Sequence, residues 1–422
     1  MTNNKLNVLL IGGGGREYAL AWKISQSQLL SEFYSINGSD HIAKYANRID
    51  IDYSDFEALY KFCVEKNIHL VIVGPEKPIE LGLSDFLISK KINVFAPSKA
   101  AAQIESSKNF TKKICDEESI PTAKYITFQN FSDVQDFIKN NKTFSYPFVI
   151  KYDGLADGKG VKIIHDDYEA LEYLQKLNEN YEKTFCVVIE EFLTGRELSA
   201  FFLCDGENIR YLASARDYKR AHDGDKGENT GGMGVICGNF LMNEELKHKI
   251  SERIVEPMLH NLKKQNIVYK GVIFAGLMID DKNDPYLIEF NARFGDPETE
   301  AICMRLESDL LNILYKATIG DLQNTEIKIS EKNSLCIVLA SNGYPEKYEK
   351  SKLIHNIPED TDDMRIFFHG AKIINNECFS NGGRVLSVNI IGENIERMRE
   401  QAYNTLKEIN WNDGFYRNDI GL

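Results

Sequence analysis

Short apolar runs alternate with predicted helices through the first hundred residues of the chain. The run at residues 8–11 ends in consecutive glycines and precedes a predicted helix at residues 16–27. Fully apolar strands separated by helices are typical of a parallel sheet that is covered on both faces. The other predicted strands of this sheet lie at residues 33–36, 68–73 and 93–96, and a second helix extends to about residue 66.

The pattern changes after about residue 106, where apolar runs follow one another at hairpin-like spacing. A long helix is predicted at 243–265, before a hairpin with strands at 271–279 and 286–291. We therefore predict an α/β fold with an α+β middle region, divided into domains at residues 1–106, 107–325 and 326–422. The remaining predicted strands are at 148–152, 161–164, 186–192, 198–204, 209–214, 335–340, 365–368 and 384–391, and a last helix is near 396–408.

Composition narrows the class of partner. The 422 residues include 50 Lys and Arg against 63 Asp and Glu, a formal net charge of −13. This balance argues against nucleic acid or an anionic membrane as the partner, whereas a locally basic pocket can still bind a phosphorylated small molecule. The eight cysteines are scattered without a Cys-x-x-Cys pair, and the apolar runs are too short to span a bilayer. We therefore predict a cytoplasmic protein with reduced thiols.

Two glycine-rich loops are candidate phosphate sites. Residues 12–15 join a strand to a helix, an arrangement that exposes backbone N–H groups to an anion. Glu17 stands where a nicotinamide fingerprint needs glycine, so NAD is disfavoured, and a tight turn without a ligand remains open. Residues 154–160 resemble a P-loop, but the spacing is one residue short and a strand follows. This loop is either a flap over phosphates or a plain hairpin, and Lys151 in the preceding apolar strand needs an anionic partner.

The most informative stretch contains Glu289, Asn291 and Arg293. Strand side chains alternate, so Glu289 and Asn291 share one face and offer oxygen ligands suited to Mg²⁺. Arg293 can supply positive charge to a transferring phosphoryl group. A solvated alternating strand is the alternative. Another candidate is the basic segment at 216–220, which either captures an anion or is a solvated turn.

Taken in order, the motifs of this chain resemble those of the phosphoribosylamine–glycine ligase family of the ATP-grasp superfamily. The similarity covers nearly the whole chain. The matching stretches are residues 10–23, 73–76, 107–112, 120–123, 151–160, 189–193, 229–234, 289–298, 381–385 and 415–421.

The resemblance implies an ATP-grasp domain with a small lobe at about 120–193, preceded by a Rossmann-like domain and followed by a mixed α/β domain. It implies that ATP, glycine and 5-phosphoribosylamine give glycinamide ribonucleotide, ADP and phosphate through glycyl phosphate, in de novo purine synthesis. The resemblance also implies Mg²⁺, or Mn²⁺ in its place, as the metal, and we expect a monomer. An ATP-grasp ligase acting on a different amine is the alternative.

The resemblance assigns each candidate residue a role. Arg293 and Lys151 are the implied catalytic residues, and Glu289 and Asn291 the metal ligands. The implied ATP site consists of Lys108, Lys151, Gly158, Gly160, the adenine hinge Glu190, Glu191, Phe192 and Leu193, and the ribose ligand Glu197. The implied substrate site consists of Gly13, Gly14, Gly15, Arg16, Glu17, Glu76, Asp217, Lys219, Arg220, Arg293 and Asp296.

The chain departs from the family pattern at two tyrosines. Tyr18 and Tyr218 stand where the family usually has histidine. Both positions are expected on the side of the site that binds the amine substrate. These departures are the reason for keeping a different amine as the alternative.

Overall fold

The N-terminal region contains a five-stranded parallel sheet with the strand order β3-β2-β1-β4-β5. The structure is a computed structural model that describes residues 5–140, 143–155, 160–181 and 185–422. Strands β1 and β4 are almost entirely buried, which confirms the predicted parallel sheet covered on both faces. The elements are β1 Leu6–Ile11, α1 Gly15–Ile24, β2 Leu30–Ile36, β3 Asn47–Ile49, α2 Phe56–Glu65, β4 Leu70–Val73, α3 Glu76–Leu81, α4 Leu83–Ser89 and β5 Val94–Phe95.

A smaller antiparallel sheet with the order β6-β9-β7-β8 follows two connecting helices. Two further helices pack on one face of this sheet and close a separate apolar core. We call this unit the small lobe. The elements are α5 Gln103–Ser106, α6 Lys108–Glu117, β6 Tyr125–Phe128, α7 Phe131–Asn140, β7 Phe148–Tyr152, β8 Val161–Ile164, α8 Asp167–Tyr181 and β9 Val187–Glu191.

The middle region continues into long antiparallel strands. The predicted helix at 243–265 is present but contains a π-helical turn, Ser251–Val255, between α9 and α10. Pro257 follows this turn and has no N–H for the regular hydrogen-bond ladder, which explains the interruption. The elements are β10 Arg196–Asp205, β11 Ile209–Asp217, β12 Arg220–His222, β13 Lys226–Asn229, β14 Gly234–Cys237, α9 Glu244–Ile250, α10 Glu256–Lys264, β15 Lys270–Ile279, β16 Pro285–Asn291, α11 Glu298–Arg305 and α12 Leu310–Ile319.

One nine-stranded sheet joins the middle region to the C-terminal region. Its order is β16-β15-β10-β11-β14-β17-β22-β19, and β23 also pairs with β17. The predicted boundary at 325/326 therefore falls in a chain connection and not at a break in the sheet. Within the described part of the chain, no helix combines the length and apolarity needed to cross a membrane. The C-terminal elements are β17 Asn333–Ser341, β18 Leu353–Ile354, β19 Met364–Phe368, β20 Ala371–Ile374, β21 Glu377–Ser380, β22 Arg384–Gly392, α13 Ile395–Glu408 and β23 Gly414–Phe415.

Candidate active site

Glu289 and Asn291, the predicted metal ligands, lie on β16 with their side chains on the same face. Gly276 on β15 lies opposite Glu289, so no cross-strand side chain crowds the carboxylate. Burial alone would raise the pKa of Glu289, but the surrounding cations, foremost Lys219 and Lys151, lower it below its usual value. An ionised carboxylate beside an amide oxygen fits the ligand preference of Mg²⁺.

Lys151, predicted to contact ATP, belongs to a buried charge network. Its Nζ lies 2.9 Å from Glu190 Oε2 and also donates a 2.9 Å hydrogen bond to the backbone oxygen of Ile288. The other carboxylate oxygen of Glu190 lies 3.2 Å from the Nζ of Lys112. The three charged side chains are each at most 4% exposed. The sequence analysis missed Lys112, because this residue lies on α6 and its partner lies far along the chain on β9.

Lys108, at the start of α6, contacts the glycine-rich loop that follows β7. Its Nζ donates a hydrogen bond to the backbone oxygen of Gly154, at 3.2 Å. The backbone N–H of Tyr152 donates to the oxygen of Gly160, at 2.7 Å, and closes the base of the hairpin. Gly158 lies outside the described residues. Strands β7 and β8 pair antiparallel, as expected from the predicted strand that follows residues 154–160.

The predicted adenine hinge begins with Glu190 and Glu191 in β9 and continues beyond the strand with Phe192 and Leu193. The backbone N–H of Glu191 donates to the oxygen of Lys124, at 3.0 Å, and Glu191 Oε1 accepts a hydrogen bond from the N–H of Lys124. Phe192 is 38% exposed and Leu193 is half-buried. The hinge therefore presents apolar side chains that are only partly covered.

Lys219 lies between residues predicted for ATP and residues predicted for the second substrate. Its Nζ is 3.5 Å from Glu197 Oε2, and both side chains are partly exposed. Burial would lower the pKa of Lys219, but nearby carboxylates, foremost Glu197, raise it. Asp217 lies near Lys219. Its pKa is well above the usual value, mainly because the carboxyl group is buried and also because Glu298 repels its charge. Arg220 instead donates to the backbone oxygen of Gly227 and supports the β12–β13 hairpin.

The glycine loop at the start of α1 is partly filled by its own side chains. The N–H of Gly14 donates to Glu17 Oε2 at 2.8 Å, and Glu17 Oε1 lies 2.6 Å from the Nε of Arg16. Both charged side chains are buried. Gly13 has no space for a side chain because a Cβ would collide with the backbone of residues 37–39. Glu17 therefore uses one of the N–H groups that an anion would otherwise contact, and Gly15 lies at the first residue of the helix.

Arg293 is held by carboxylates from the N-terminal part of the chain. Its guanidinium lies 3.0 Å from Glu105 Oε1 and 3.5 Å from Glu76 Oε2, and it donates to Asn291 Oδ1 at 3.2 Å. The other oxygen of Glu105 accepts a 2.8 Å hydrogen bond from the N–H of Ala292. Burial, which outweighs the attraction of Arg293, raises the pKa of Glu105. The sequence analysis missed Glu105 because nothing in its local sequence indicates a partner so distant.

Asp296 follows β16 and contacts two side chains of the C-terminal region. Its Oδ1 lies 2.8 Å from the guanidinium of Arg384 and 3.5 Å from His369 Nδ1. Burial would raise the pKa of Asp296, but Arg384 and His369 hold it far below its usual value. Arg384 belongs to one of the motifs behind the family resemblance, whereas no sequence signal marked His369.

Tyr18 and Tyr218 pack in the core and against the C-terminus. Tyr18 is 3% exposed, and its ring meets the edge of Phe367 in an aromatic cluster. The hydroxyl of Tyr218 donates to the backbone oxygen of Leu422 and accepts from the N–H of Gly421. These contacts give both tyrosines packing roles, and their expected location on the amine side of the site stays a prediction.

The described geometry has the features of an ATP-grasp ligase: a small lobe with a buried lysine, a large antiparallel sheet with Glu289 and Asn291, and a hinge between them. The family models support this class. The ATP-grasp (A) domain of phosphoribosylglycinamide synthetase matches residues 106–299, its N domain residues 6–105 and its C domain residues 334–422. The chain belongs to the phosphoribosylglycinamide synthetase family.

Individual relatives agree with this assignment. The phosphoribosylamine–glycine ligase of Agrobacterium fabrum is 42% identical over 418 residues, covering 99% of this chain and 98% of the relative. The crystal structure of the ligase from Thermotoga maritima superposes with a TM-score of 0.85 at 32% identity, over 98% of this chain and 100% of the other. A biotin carboxylase domain from Hydrogenobacter thermophilus, solved with MgADP, has a TM-score of 0.72 at 15% identity, over 97% of this chain and 91% of the other, and shows the shared fold alone.

Proposed function

We propose that this chain joins glycine to 5-phosphoribosylamine with ATP, giving glycinamide ribonucleotide, ADP and phosphate in de novo purine synthesis. The arrangement of Glu289, ionised by its cationic neighbours, next to Asn291 is the observation that carries the proposal. Family membership supplies the identity of the substrates. The two tyrosines that suggested a different amine have packing roles, so that alternative loses its main support.

The reaction proceeds in two steps in this proposal. A carboxylate oxygen of glycine attacks the γ-phosphorus of ATP, and the bond from that phosphorus to the ADP oxygen breaks. The nitrogen of phosphoribosylamine then attacks the carbonyl carbon of glycyl phosphate, phosphate leaves, and the nitrogen loses a proton. Such phosphoryl transfer needs positioning and charge neutralisation and no enzyme nucleophile.

The residues divide between the phosphate and nucleoside parts of ATP. Lys108 and Lys151 contact the phosphates, and Arg293 stabilises charge on the transferring group. A bound Mg²⁺, or Mn²⁺ in its place, neutralises phosphate charge and would be held by Glu289 and Asn291. The backbone from Glu190 to Leu193 receives the adenine, and Glu197 binds the ribose.

The amine substrate is assigned to the opposite side of the site. Its proposed ligands surround the start of α1 and the turns after β11 and β16. The segment around Lys219 connects this side to the nucleotide, because the lysine pairs with the proposed ribose ligand. The proposed ligands are Gly13, Gly14, Gly15, Arg16, Glu17, Glu76, Asp217, Lys219, Arg220, Arg293 and Asp296.

We also propose a monomer in the cytoplasm that acts on small molecules only. The net charge of −13 supports the exclusion of nucleic acid. Light scattering coupled to size-exclusion chromatography tests the monomer, and a concentration-independent dimer mass would contradict it.

ADP release from purified protein tests the reaction. With ATP, Mg²⁺, glycine and freshly made phosphoribosylamine, ADP and glycinamide ribonucleotide should appear in equal amounts. Replacement of phosphoribosylamine by other amines should abolish product formation. Product formation with another amine, but not with phosphoribosylamine, would overturn the substrate assignment.

Glu289→Gln tests the metal assignment. Loss of the carboxylate charge should lower kcat by about 10²–10³-fold or more while leaving the melting temperature near that of the native protein. Asp281→Asn, an exposed substitution in the turn of the same hairpin, is the matched control and should retain full activity. Near-native activity of Glu289→Gln would remove the assignment.

A further inference from the structure

Three side chains from two regions of the chain pack against the first turn of α1. Asp296 and Glu300 come from the segment that begins α11, and His369 follows β19. His369 Nδ1 lies 3.5 Å from Asp296 Oδ1, and its Nε2 lies 3.3 Å from Glu300 Oε1. His369 is 5% exposed and Glu300 has no exposed surface. The imidazole therefore lies between two carboxyl groups in a closed environment.

Electrostatics favour different charge states for the two carboxyl groups. The pKa of Asp296 is far below its usual value, so this carboxylate is ionised. The pKa of Glu300 is well above its usual value, mainly because of burial and also because Asp296 repels its charge. Burial lowers the pKa of His369. His369 Nε2 forms a hydrogen bond with Ser387 Oγ, at 3.1 Å. Among the described residues, His369 Nδ1 and both carboxyl oxygens of Glu300 are buried without a hydrogen-bond partner, so the ring is held between the two carboxyl groups by close packing.

Arg384 holds the same aspartate from another direction. One guanidinium nitrogen lies 2.8 Å from Asp296 Oδ1. A second guanidinium nitrogen of Arg384 donates to two backbone oxygens, that of Asp296 at 2.8 Å and that of Gly231 at 2.6 Å. Arg384 thereby fixes the turn after β16 and the glycine-rich loop before β14 to the C-terminal strand β22. Its charge also balances Asp296, so charge neutrality at this group does not require a bound cation.

The free side of Asp296 faces the start of α1. A Cβ at Gly14 would lie 3.2 Å from Asp296 Oδ2, and a Cβ at Gly15 would collide with His369 and Glu300. The group therefore sits directly behind the loop assigned to the amine substrate.

We propose that Arg384 and His369 are positioning residues for the second half-reaction, fixing Asp296 where its outer oxygen accepts a hydrogen bond from the amine of phosphoribosylamine. Glu300 packs against His369, 3.3 Å from Nε2, and limits where the ring can lie. The inference rests on the proposed function. In this proposal the C-terminal region helps to bind the amine substrate and takes no part in forming glycyl phosphate.

The two half-reactions can be measured separately. Glycine-dependent scrambling of ¹⁸O from the β,γ-bridge of ATP reports glycyl phosphate formation without the amine, and amine-dependent ADP release reports the complete reaction. Arg384→Gln and His369→Leu should each lower kcat/KM for phosphoribosylamine by about 10- to 100-fold, because a small misplacement of a substrate ligand has effects of that size. The scrambling rate and KM for ATP should stay within about twofold of the native protein.

Three variants sharpen the test. Arg384→Lys keeps the charge but only part of the contact pattern, so its kcat/KM for the amine should fall between those of the native protein and Arg384→Gln. Glu300→Gln keeps the shape of the side chain that packs against His369 and should retain near-native activity. Arg365→Gln is the matched control, because Arg365 lies on β19 but pairs with Asp360 and stacks on Trp22.

The possible results separate cleanly. A parallel fall of scrambling and amine-dependent turnover in Arg384→Gln and His369→Leu would overturn the proposal, as would unchanged kcat/KM for the amine. A loss in Glu300→Gln as large as that in His369→Leu would overturn the packing role of Glu300, because glutamine keeps its shape. Native protein that shows neither scrambling nor amine-dependent ADP release would contradict the proposed function itself.

Discussion

Replacement of Glu190 by Gln removes the shared partner of two buried lysines. Glu190 lies within 2.9 Å of Lys151 Nζ and 3.2 Å of Lys112 Nζ, and all three side chains are at most 4% exposed. The isosteric glutamine keeps the shape but leaves two ammonium groups without a counter-charge. We expect the free energy of unfolding to fall by about 3–5 kcal/mol, the usual cost of breaking a buried ion pair by removing one partner.

The distances between the charged atoms support this loss of stability. At an effective dielectric constant of about 20, two unit charges 2.9–3.2 Å apart attract by about 5–6 kcal/mol. The loss is smaller than the sum for two pairs because Lys151 retains its bond to Ile288, Lys112 retains its bond to Thr122, and desolvation offsets part of the attraction. If the small lobe unfolds as its own cooperative unit, its melting temperature should fall by about 12–40 °C, because a unit of that size loses about 4–8 °C per kcal/mol.

Thermal unfolding followed by circular dichroism, across pH, is the assay. Burial lowers the pKa of Lys112 even with Glu190 present, and Glu190→Gln lowers it further. The unfolded chain then binds more protons than the folded chain, so the stability of the variant should rise as pH approaches the ordinary pKa of lysine. Glu172→Gln removes an exposed carboxylate paired with Lys176 in the same lobe and should cost less than about 1 kcal/mol. A loss below about 1 kcal/mol in Glu190→Gln would refute the reasoning.

Two further substitutions test single contacts. Glu105→Gln removes the charge that pairs with Arg293 and weakens the hydrogen bond from the N–H of Ala292. We expect kcat to fall by about 10-fold or more, which corresponds to an activation free energy higher by at least about 1.4 kcal/mol. Unchanged steady-state kinetics would show that Arg293 is positioned without it. Tyr218→Phe removes the hydrogen bonds to the last two residues and should lower stability by about 1 kcal/mol in urea unfolding, with KM for phosphoribosylamine unchanged. A raised KM at native stability would return Tyr218 to the substrate site.

Local patterns predicted the parts of the molecule that depend on local chemistry. Alternation along β16 was enough to place Glu289 and Asn291 on one face, and the strand after the loop at 154–160 was enough to exclude a P-loop. Lys112, Glu105 and His369 could not be found in this way. Each acquires its role from a partner on a distant segment, and only the packed fold brings them together.

Tyr18 and Tyr218 show a limit of motif positions. The motifs predict that both residues lie on the amine side of the proposed site, but they do not indicate where the rings point. Helix geometry turns the Tyr18 ring into an aromatic cluster, while the C-terminal residues cover Tyr218. Adjacency in sequence therefore did not decide which way either ring points.

The pairing of β14 with β17, which joins the middle and C-terminal regions in one sheet, also has a consequence for folding during synthesis. During synthesis β14 leaves the ribosome long before β17, its antiparallel partner at Gly234 and Ile337. Until then its backbone N–H and C=O groups form an open edge, a template for pairing with another nascent chain. A polypeptide truncated before β17 would keep that edge permanently. The C-terminal strands of this ligase thus close an edge that would otherwise stay open to pairing, as well as completing its sheet.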